Sequence, residues 1–207
     1  RFRLRKTYSR NEALTLKDKL VLFAYFLKSP FFLLNFLGGK SHYNLLSSNI
    51  SIKNKDGIFY CWNNVFSVYG LSNLWEFKVK PYMKLYNGTF IDVGANFGKY
   101  TVRIGKMLGN NGTVIALETE SYNLAVLQKN IQLNKLENII AIKKGCFSKK
   151  AILNFNLTGI GTGGHSLVKK YLGSQTVKIN VNSIDNIVSK LKLQNINLIK
   201  IDAEGAE

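Results

Sequence analysis

The second half of the chain alternates short apolar runs with amphipathic segments. Two of these segments, residues 98–109 and 121–135, carry apolar side chains at helical spacing, and Ser121 is placed to cap the second helix. Four apolar runs have the length of buried strands: "TFIDV" at 89–93, "TVIALE" at 113–118, "NIIAIKKG" at 138–145 and "NLIKID" at 197–202. Strands that alternate with helices of this length predict a parallel sheet with right-handed crossovers.

The first part of the chain shows a different pattern. Leu20–Leu37 is strongly apolar but is interrupted at Lys28, Ser29 and Pro30, whereas a spanning helix needs about 20 uninterrupted apolar residues. The interruption predicts two short helices, at 15–27 and 30–37, flanked by basic residues. Three interpretations stay open: packing against the protein or a second subunit, contact with a membrane surface through residues 15–40, and a true span.

Residues 48–86 combine strand and helix signals. Asp56–Gly57 lies between alternating residues and predicts a hairpin turn. Residues 74–86, "LWEFKVKPYMKLY", resemble an amphipathic helix. We therefore expect a basic, apolar segment at 1–40, a small subdomain at 41–87 and the main domain at 88–207.

Acidic residues concentrate where the predicted parallel strands end. Asp92, Glu118 and Asp202 end three of the four strands, and Glu120 and Glu204 follow two residues later. The remaining strand is predicted to end near Cys146 and Phe147. Because the chain has only 12 acidic residues, and because open α/β sheets bind ligands at the carboxyl ends of their strands, this placement predicts a binding site.

The glycine turn after Asp92 distinguishes between two candidate nucleotide ligands. A dinucleotide site needs G-x-G-x-x-G, and here Asn96 and Lys99 stand at the second and third glycine positions. Asp92 would also repel a pyrophosphate. S-adenosylmethionine fits better: Asp92 suits its ammonium, directly or through neighbouring groups, the turn and helix N-terminus suit its carboxylate, and Glu118 suits the ribose hydroxyls. An ordinary tight turn is the alternative.

The segments "FIDVGANFGKYT", "VIALETESYNLAVLQKNIQLN" and "LIKIDAEGAE" resemble, in order, the three hallmark blocks of the FkbM family of S-adenosylmethionine-dependent methyltransferases. The resemblance runs from about Gly88 to Glu207. It implies a Rossmann-like class I methyltransferase fold with an N-terminal extension, and methyl transfer to hydroxyls of glycans, glycolipids or secondary metabolites. Thr119 departs from the family, which usually has proline at that position.

The same resemblance implies roles for individual residues. The predicted cofactor-binding residues are Asp92, Gly94, Ala95, Asn96, Gly98, Tyr100, Glu118, Thr119, Cys146 and Phe147. Asp202 and Glu204 are the predicted catalytic residues on the methyl-transfer face. His165, in the glycine-rich loop Gly159–Ser166, is a further candidate base, although a histidine in a solvent-exposed hairpin loop is the simpler interpretation.

Charge leaves alternative functions open. A net charge of +17 attracts anionic partners, but it also suits a solvated lysine surface. An RNA methyltransferase is one rival, disfavoured because no aromatic-interleaved basic module is seen. A non-catalytic protein that binds membranes or polyanions is the other.

Further expectations concern the setting of the domain. Two distant cysteines suit a reducing, cytoplasmic compartment, with peripheral contact at the membrane. No His or carboxylate cluster has metal-ligand spacing, so no metal is predicted. The sheet is expected to be truncated after its fourth parallel strand, and the sequence does not indicate the oligomeric state.

Overall fold

The computed structural model describes residues 12–13, 19–20, 49–61, 65–71, 76–158, 165–167 and 175–203. The chain divides into two compact units, Arg1–Pro81 and Tyr82–Glu207. Apart from Lys19 and Leu20, the helices predicted at 15–27 and 30–37 lie outside the described residues, and so does Glu204. No helix in the described part of the chain is both long and apolar enough to cross a membrane.

The described residues of the first unit include a small antiparallel sheet and a short helix. Its strands are β1 (Glu12–Ala13), β2 (Ile50–Asn54) and β3 (Gly57–Cys61), in that order across the sheet, and helix α1 is Val65–Gly70. The predicted hairpin at Asp56–Gly57 is confirmed: the Asn54 side-chain oxygen accepts from both backbone N–H groups of that turn, at 2.9 and 3.2 Å.

The amphipathic helix predicted at 74–86 is wrong over the described residues 76–86, which form turns and irregular backbone. Glu76 has φ 51°, a left-handed conformation that no helix accepts, and Pro81 cannot donate a helical hydrogen bond. The apolar side chains that suggested a buried face are largely exposed, including Phe77 (62%) and Tyr82 (75%).

The second unit is built on a four-stranded parallel sheet, as predicted. Its strands are β4 (Gly88–Val93), β5 (Gly112–Glu118), β6 (Ile139–Lys143) and β10 (Ile196–Ile201), arranged in the order β10-β4-β5-β6. Helix α2 (Lys99–Leu108) connects β4 to β5, and α3 (Ser121–Leu133) connects β5 to β6. Since all three pairings are parallel, the carboxyl ends of the four strands share one edge.

Helices cover both faces of this sheet. On one face Phe90 and Val114 pack with Tyr100, Ile104 and Leu108 of α2, and Ala116 packs with Leu124 and Leu127 of α3. On the other face Ile91, Val93, Ile115 and Leu117 pack with Ile187 of α4 (Ile184–Leu191). Burial on both faces explains why the central strands β4 and β5 are almost continuously apolar.

A second, three-stranded sheet lies between β6 and β10 in the chain. It consists of β7 (Gly145–Cys146), β8 (Ala151–Leu157) and β9 (Gln175–Asn182), in the order β7-β9-β8. The strand predicted at 138–145 therefore ends early, at Lys143, because Gly145 and Cys146 pair with Val181 and Asn182 of β9. Strands β8 and β9 form an antiparallel hairpin across the glycine-rich loop.

The cap of α3 also differs from the prediction. The side chain of Glu120, rather than that of Ser121, accepts the backbone N–H of Asn123 at 2.7 Å. A carboxylate at this position satisfies one unpaired N–H of the first turn and also opposes the positive end of the helix dipole.

Asn138 fastens the C-terminal end of α2 to the start of β6. Its side-chain amide donates to the carbonyls of Gly105 and Gly109 at 2.9 Å each, and to that of Gly112 at 3.4 Å. The Gly105 carbonyl, which also accepts the backbone N–H of Gly109, lies in the last turn of α2. The Gly109 carbonyl lies in the 3-10 turn that follows, and Gly112 is the first residue of β5.

Replacing Asn138 by alanine should therefore lower the free energy of unfolding by about 1–3 kcal/mol, measured by urea titration. Asn138→Asp, which keeps the shape but directs a carboxylate at the carbonyls, should cost at least as much. The exposed neighbour substitution Glu137→Gln is the control. A stability unchanged in Asn138→Asp would contradict this role for the amide.

Candidate functional site

The backbone N–H groups of the turn between β4 and α2 are paired within the protein. Every backbone N–H from Gly94 to Gly98 donates within the turn or to the end of β5. The bonds are Gly94 and Ala95 to the Leu117 carbonyl (3.0 Å each), Asn96 to Glu118 Oε2 (2.8 Å), Phe97 to Asn96 Oδ1 (2.8 Å) and Gly98 to the Ala95 carbonyl (2.9 Å). These five N–H groups are therefore already paired within the protein, and binding of a ligand carboxylate at the turn and the helix N-terminus stays a prediction.

Left-handed backbone at Gly94, Asn96 and Gly98 shapes this turn, with φ of 70°, 51° and 90°. A Cβ on Gly94 would lie 2.1 Å from the carbonyl oxygen of Asp202, so only glycine lets β4 and the end of β10 approach this closely. Buried Asn130 of α3 holds the turn from behind, because its side-chain amide donates to the Phe97 carbonyl at 2.8 Å.

Lys200 joins the ends of β4 and β10. Its ammonium lies 3.5 Å from Asp92 Oδ1 and 3.4 Å from Asp202 Oδ2, and it donates to the Gly94 carbonyl at 3.0 Å. The sequence analysis assigned no role to Lys200. A signal was present, since side chains at 200 and 202 of one strand lie on the same face as each other.

Asp92 is buried, with 1% of its surface exposed, and does not line the cleft. Thr101 of α2 donates its hydroxyl to Asp92 Oδ2 at 2.6 Å. Burial raises the pKa of the Asp92 carboxyl above its usual value, and the nearby Lys200 ammonium and Thr101 hydroxyl oppose that rise. Asp92 therefore supports the site through Lys200 and Thr101, which is the indirect role that the sequence left open.

Glu118 holds the loops at the end of β5. Its Oε2 accepts the N–H of Asn96 and its Oε1 accepts the N–H of Glu120, both at 2.8 Å. Burial raises the pKa of Glu118 to about 7, against the lowering effect of these backbone hydrogen bonds. A carboxylate offers about four acceptor positions, and the backbone N–H of Thr119 is a third protein donor that lowers the Glu118 pKa, so some acceptor capacity remains for a ligand.

A cleft opens at the carboxyl edge of the sheet, between this edge and the β8–β9 hairpin. Six predicted residues line it: Gly94, Asn96, Glu118, Thr119, Cys146 and Asp202. Residues that the sequence did not assign to the cofactor also line it: Val93, Leu117, Asn123, Lys144, Gly145, Phe155, His165, Leu167, Ile179 and Ala203. The wall formed by the hairpin follows from long-range pairing that no local motif encodes.

The other predicted cofactor residues lie behind the cleft wall. Ala95 packs against α3, Tyr100 packs against β4 and β5, and Phe147 packs in the hairpin core. A Cβ on Gly98 would meet Leu127 of α3 at 2.5 Å. In this structure these four residues shape the wall without facing the cleft.

His165 is buried, with 7% exposed, rather than in solvent as the simpler interpretation had it. Its Nδ1 accepts the backbone N–H of Thr158 at 3.1 Å, so the proton of the neutral ring is on Nε2. Burial lowers the pKa of His165, and the charge of Glu120 partly opposes this effect. A neutral ring protonated on Nε2 does not accept a proton there, which argues against His165 as the base.

The family model for the methyltransferase FkbM domain matches residues 92–207, more than half of the chain. The chain belongs to the FkbM methyltransferase domain family. The match covers the turn, Glu118, the hairpin and Lys200, which together build the cleft, and it confirms the resemblance seen in the sequence.

Relatives of this FkbM-domain chain include other methyltransferases. A probable cobalt-precorrin-6B C(15)-methyltransferase (decarboxylating) of Sulfurisphaera tokodaii is 26% identical over 115 residues, covering 55% of this chain and 59% of the relative. A protein of the same name from Thermoplasma volcanium is 26% identical over 125 residues, covering 55% and 62%. The chain thus spans about three fifths of the length of these curated relatives.

Among solved structures, M. jannaschii TYW2 in complex with AdoMet resembles the chain at 19% identity and a TM-score of 0.37, covering 51% of this chain and 53% of that one. Among the described residues of the FkbM-domain chain, no three His, Cys, Asp or Glu side chains are grouped so as to hold a metal ion.

The raised pKa of Glu118 predicts how stability depends on pH. The folded state holds this proton up to about pH 7, whereas the unfolded chain releases it near 4.5, so the free energy of unfolding should fall as pH rises between these values. The fall due to Glu118 should be about 3 kcal/mol.

Urea titrations between these pH values measure the fall. Glu118→Gln should reduce the slope with pH, leaving the part that comes from Asp92, whose pKa is raised in the same direction. Glu137→Gln, at an exposed carboxyl, should leave the slope unchanged. An equal slope in wild type and Glu118→Gln would contradict the prediction.

Removing the Lys200 ammonium should leave the buried Asp92 charge unbalanced. Lys200→Met should lower the free energy of unfolding by about 3–5 kcal/mol at about pH 8, and by less in acid, where Asp92 takes up a proton. Adding Asp92→Asn should recover much of the loss, because the unpaired charge is then gone. Lys190→Met, at an exposed position on α4, is the control, and simple additivity of the two changes would contradict the pairing.

Proposed function

We propose that the chain is an S-adenosylmethionine-dependent methyltransferase that methylates a hydroxyl group on a glycan, a glycolipid or a secondary metabolite. The observation that carries the proposal is Glu118. Its buried carboxylate lines the cleft, is fixed by the backbone N–H groups of Asn96 and Glu120, and keeps acceptor capacity that suits the hydroxyls of a ribose.

The residues around Glu118 fit this cofactor. Two acids, Asp92 and Asp202, share the single Lys200 ammonium beside Gly94. This excess of acidic side chains suits a ligand with an ammonium and a sulfonium and disfavours a pyrophosphate. The apolar end of the cleft, with Cys146, Phe155 and Ile179, suits the faces of a purine ring.

When bound, S-adenosylmethionine supplies a methyl group that is already activated by a sulfonium. The chain then has to align the acceptor oxygen in line with the breaking S–C bond and to exclude water. A hydroxyl must also lose its proton as the O–C bond forms. Asp202 lines the cleft, is half exposed at 49%, and can accept that proton, while Lys200 fixes its position.

Glu204, which the sequence predicts on the same methyl-transfer face, lies outside the described residues. A glycolipid acceptor would bring the chain to a membrane surface, consistent with contact through residues 15–40 and with a peripheral cytoplasmic location. The positive charge of the chain makes RNA the competing acceptor, and the experiment includes it.

Calorimetric titration of S-adenosylhomocysteine tests the cofactor assignment. We expect micromolar affinity that rises with pH through about 7, because the ribose hydroxyls donate to the ionised form of Glu118. Glu118→Ala should weaken binding at least about tenfold, since hydrogen bonds to a charged group contribute about 1.5–3 kcal/mol each. Glu137→Ala, far from the cleft, is the matched control. No binding by the folded wild-type chain would defeat the proposal.

Acceptors are then compared by transfer of a labelled methyl group to oligosaccharides, glycolipid vesicles and RNA. Label on carbohydrate hydroxyls, lost in Asp202→Asn while S-adenosylhomocysteine still binds, supports the proposed reaction. If RNA is labelled instead, and this labelling falls steeply with added salt, the acceptor is nucleic acid rather than carbohydrate.

A further inference from the structure

One polar group in the cleft is left unused by the proposed reaction. The Nε2 atom of His165 is buried and has no hydrogen-bond partner among the described residues. Buried polar groups nearly always have partners, and a buried donor without one costs about 1–3 kcal/mol. Since His165 lines the cleft, a ligand bound there can supply the missing partner.

The identity of that partner follows first from the tautomer. Two groups of Thr158 meet Nδ1: the backbone N–H at 3.1 Å and the hydroxyl oxygen at 3.3 Å. Since a backbone N–H can only donate, Nδ1 is the acceptor and Nε2 carries the hydrogen. His165, which lines the cleft, therefore carries a hydrogen-bond donor on Nε2, and the partner that this donor needs is an acceptor atom.

The surroundings of His165 indicate which part of a ligand lies there. Phe155 meets the imidazole edge-on, with ring centroids 5.9 Å apart, and Leu167, Ile179 and Cys146 supply further apolar surface. Apolar surface beside a hydrogen-bond donor suits a flat heteroaromatic ring whose edge nitrogens accept hydrogen bonds. Of the charged groups, Asp202 and Lys200 lie beside Gly94, Lys144 also lines the cleft, and the charge of Glu120 acts on His165.

We infer that His165 binds the purine of S-adenosylmethionine by donating its Nε2–H to a ring nitrogen. The inference rests on the proposed function, because the position of the purine follows from placing the ribose at Glu118. Thr158 acts as a positioning residue that holds the tautomer, and the β8–β9 hairpin becomes part of the cofactor site.

Binding of modified ligands tests this contact. We use S-adenosylhomocysteine and three analogues, in each of which one ring nitrogen (N1, N3 or N7) is replaced by C–H. In the wild-type chain one analogue should bind about three- to tenfold more weakly than S-adenosylhomocysteine. In His165→Phe, which keeps an aromatic ring but loses the donor, that difference should disappear.

Two further variants separate a binding role from a structural one. His165→Gln places an amide donor near the position of Nε2 and should restore part of the discrimination between ligands. His42→Gln, at the second of the two histidines in the chain, should leave it unchanged. Thermal unfolding of each variant shows whether the hairpin is still folded.

Nitrogen-15 NMR of the histidine rings provides a direct readout. The His165 signals should show the Nε2–H tautomer in the free chain, and the Nε2 signal should shift on adding S-adenosylhomocysteine.

Equal discrimination in wild type and His165→Phe, or a proton found on Nδ1, would overturn the inference while leaving the proposed function intact. A selective effect of His165→Phe on methyl transfer, with ligand discrimination unchanged, would move the contact to the acceptor and also overturn it. Failure of the wild-type chain to bind S-adenosylhomocysteine would instead remove the proposed function and the inference with it.

Discussion

The ion pair of Lys200 with Asp92 and Asp202 is the interaction on which the rest of the site depends. Strands β4 and β10 are far apart in the chain, and their ends converge where Gly94 meets the Asp202 carbonyl. Two carboxylates near this point would repel each other and would be costly to desolvate without a cation between them. The Lys200 ammonium supplies that cation and also binds the Gly94 carbonyl, so the glycine turn, the end of β10 and the buried acid are held as one unit.

The glycine turn also fixes the end of the neighbouring strand, β5. The turn that begins at Gly94 donates two N–H groups to the Leu117 carbonyl and one to Glu118, so the loop after β4 and the end of β5 support each other. Glu118 is therefore a structural acceptor, and in the proposed function it is also the group that binds the ribose. These two roles conflict. The burial that fixes the geometry of Glu118 also disfavours its charged form, and this raises its pKa.

Sequence reasoning succeeded where the signal is local. Strand and helix periodicity located β4, α2, β5, α3 and β10 within a few residues, and the acids Asp92, Glu118 and Asp202 do lie at or near strand ends on one edge of the sheet. It failed where distant residues compete for a segment. Gly145 and Cys146 were read as the end of a parallel strand, but pairing with β9 draws them into another sheet. Residues 76–86 have helical periodicity, yet Glu76 and Pro81 leave them irregular.

The amino-acid sequence by itself determined the parallel α/β architecture, the glycine turn and the concentration of acids at the carboxyl edge, because these depend on periodicity and on backbone preferences within a few residues. Only the tertiary structure decided what each acid does. It buried Asp92 behind Thr101 and Lys200, left Asp202 half exposed, and brought His165 of the hairpin into the cleft with its Nε2–H unpaired among the described residues. Burial and hydrogen-bond partners arise from contacts between segments as much as about 100 residues apart, and no local pattern encodes them.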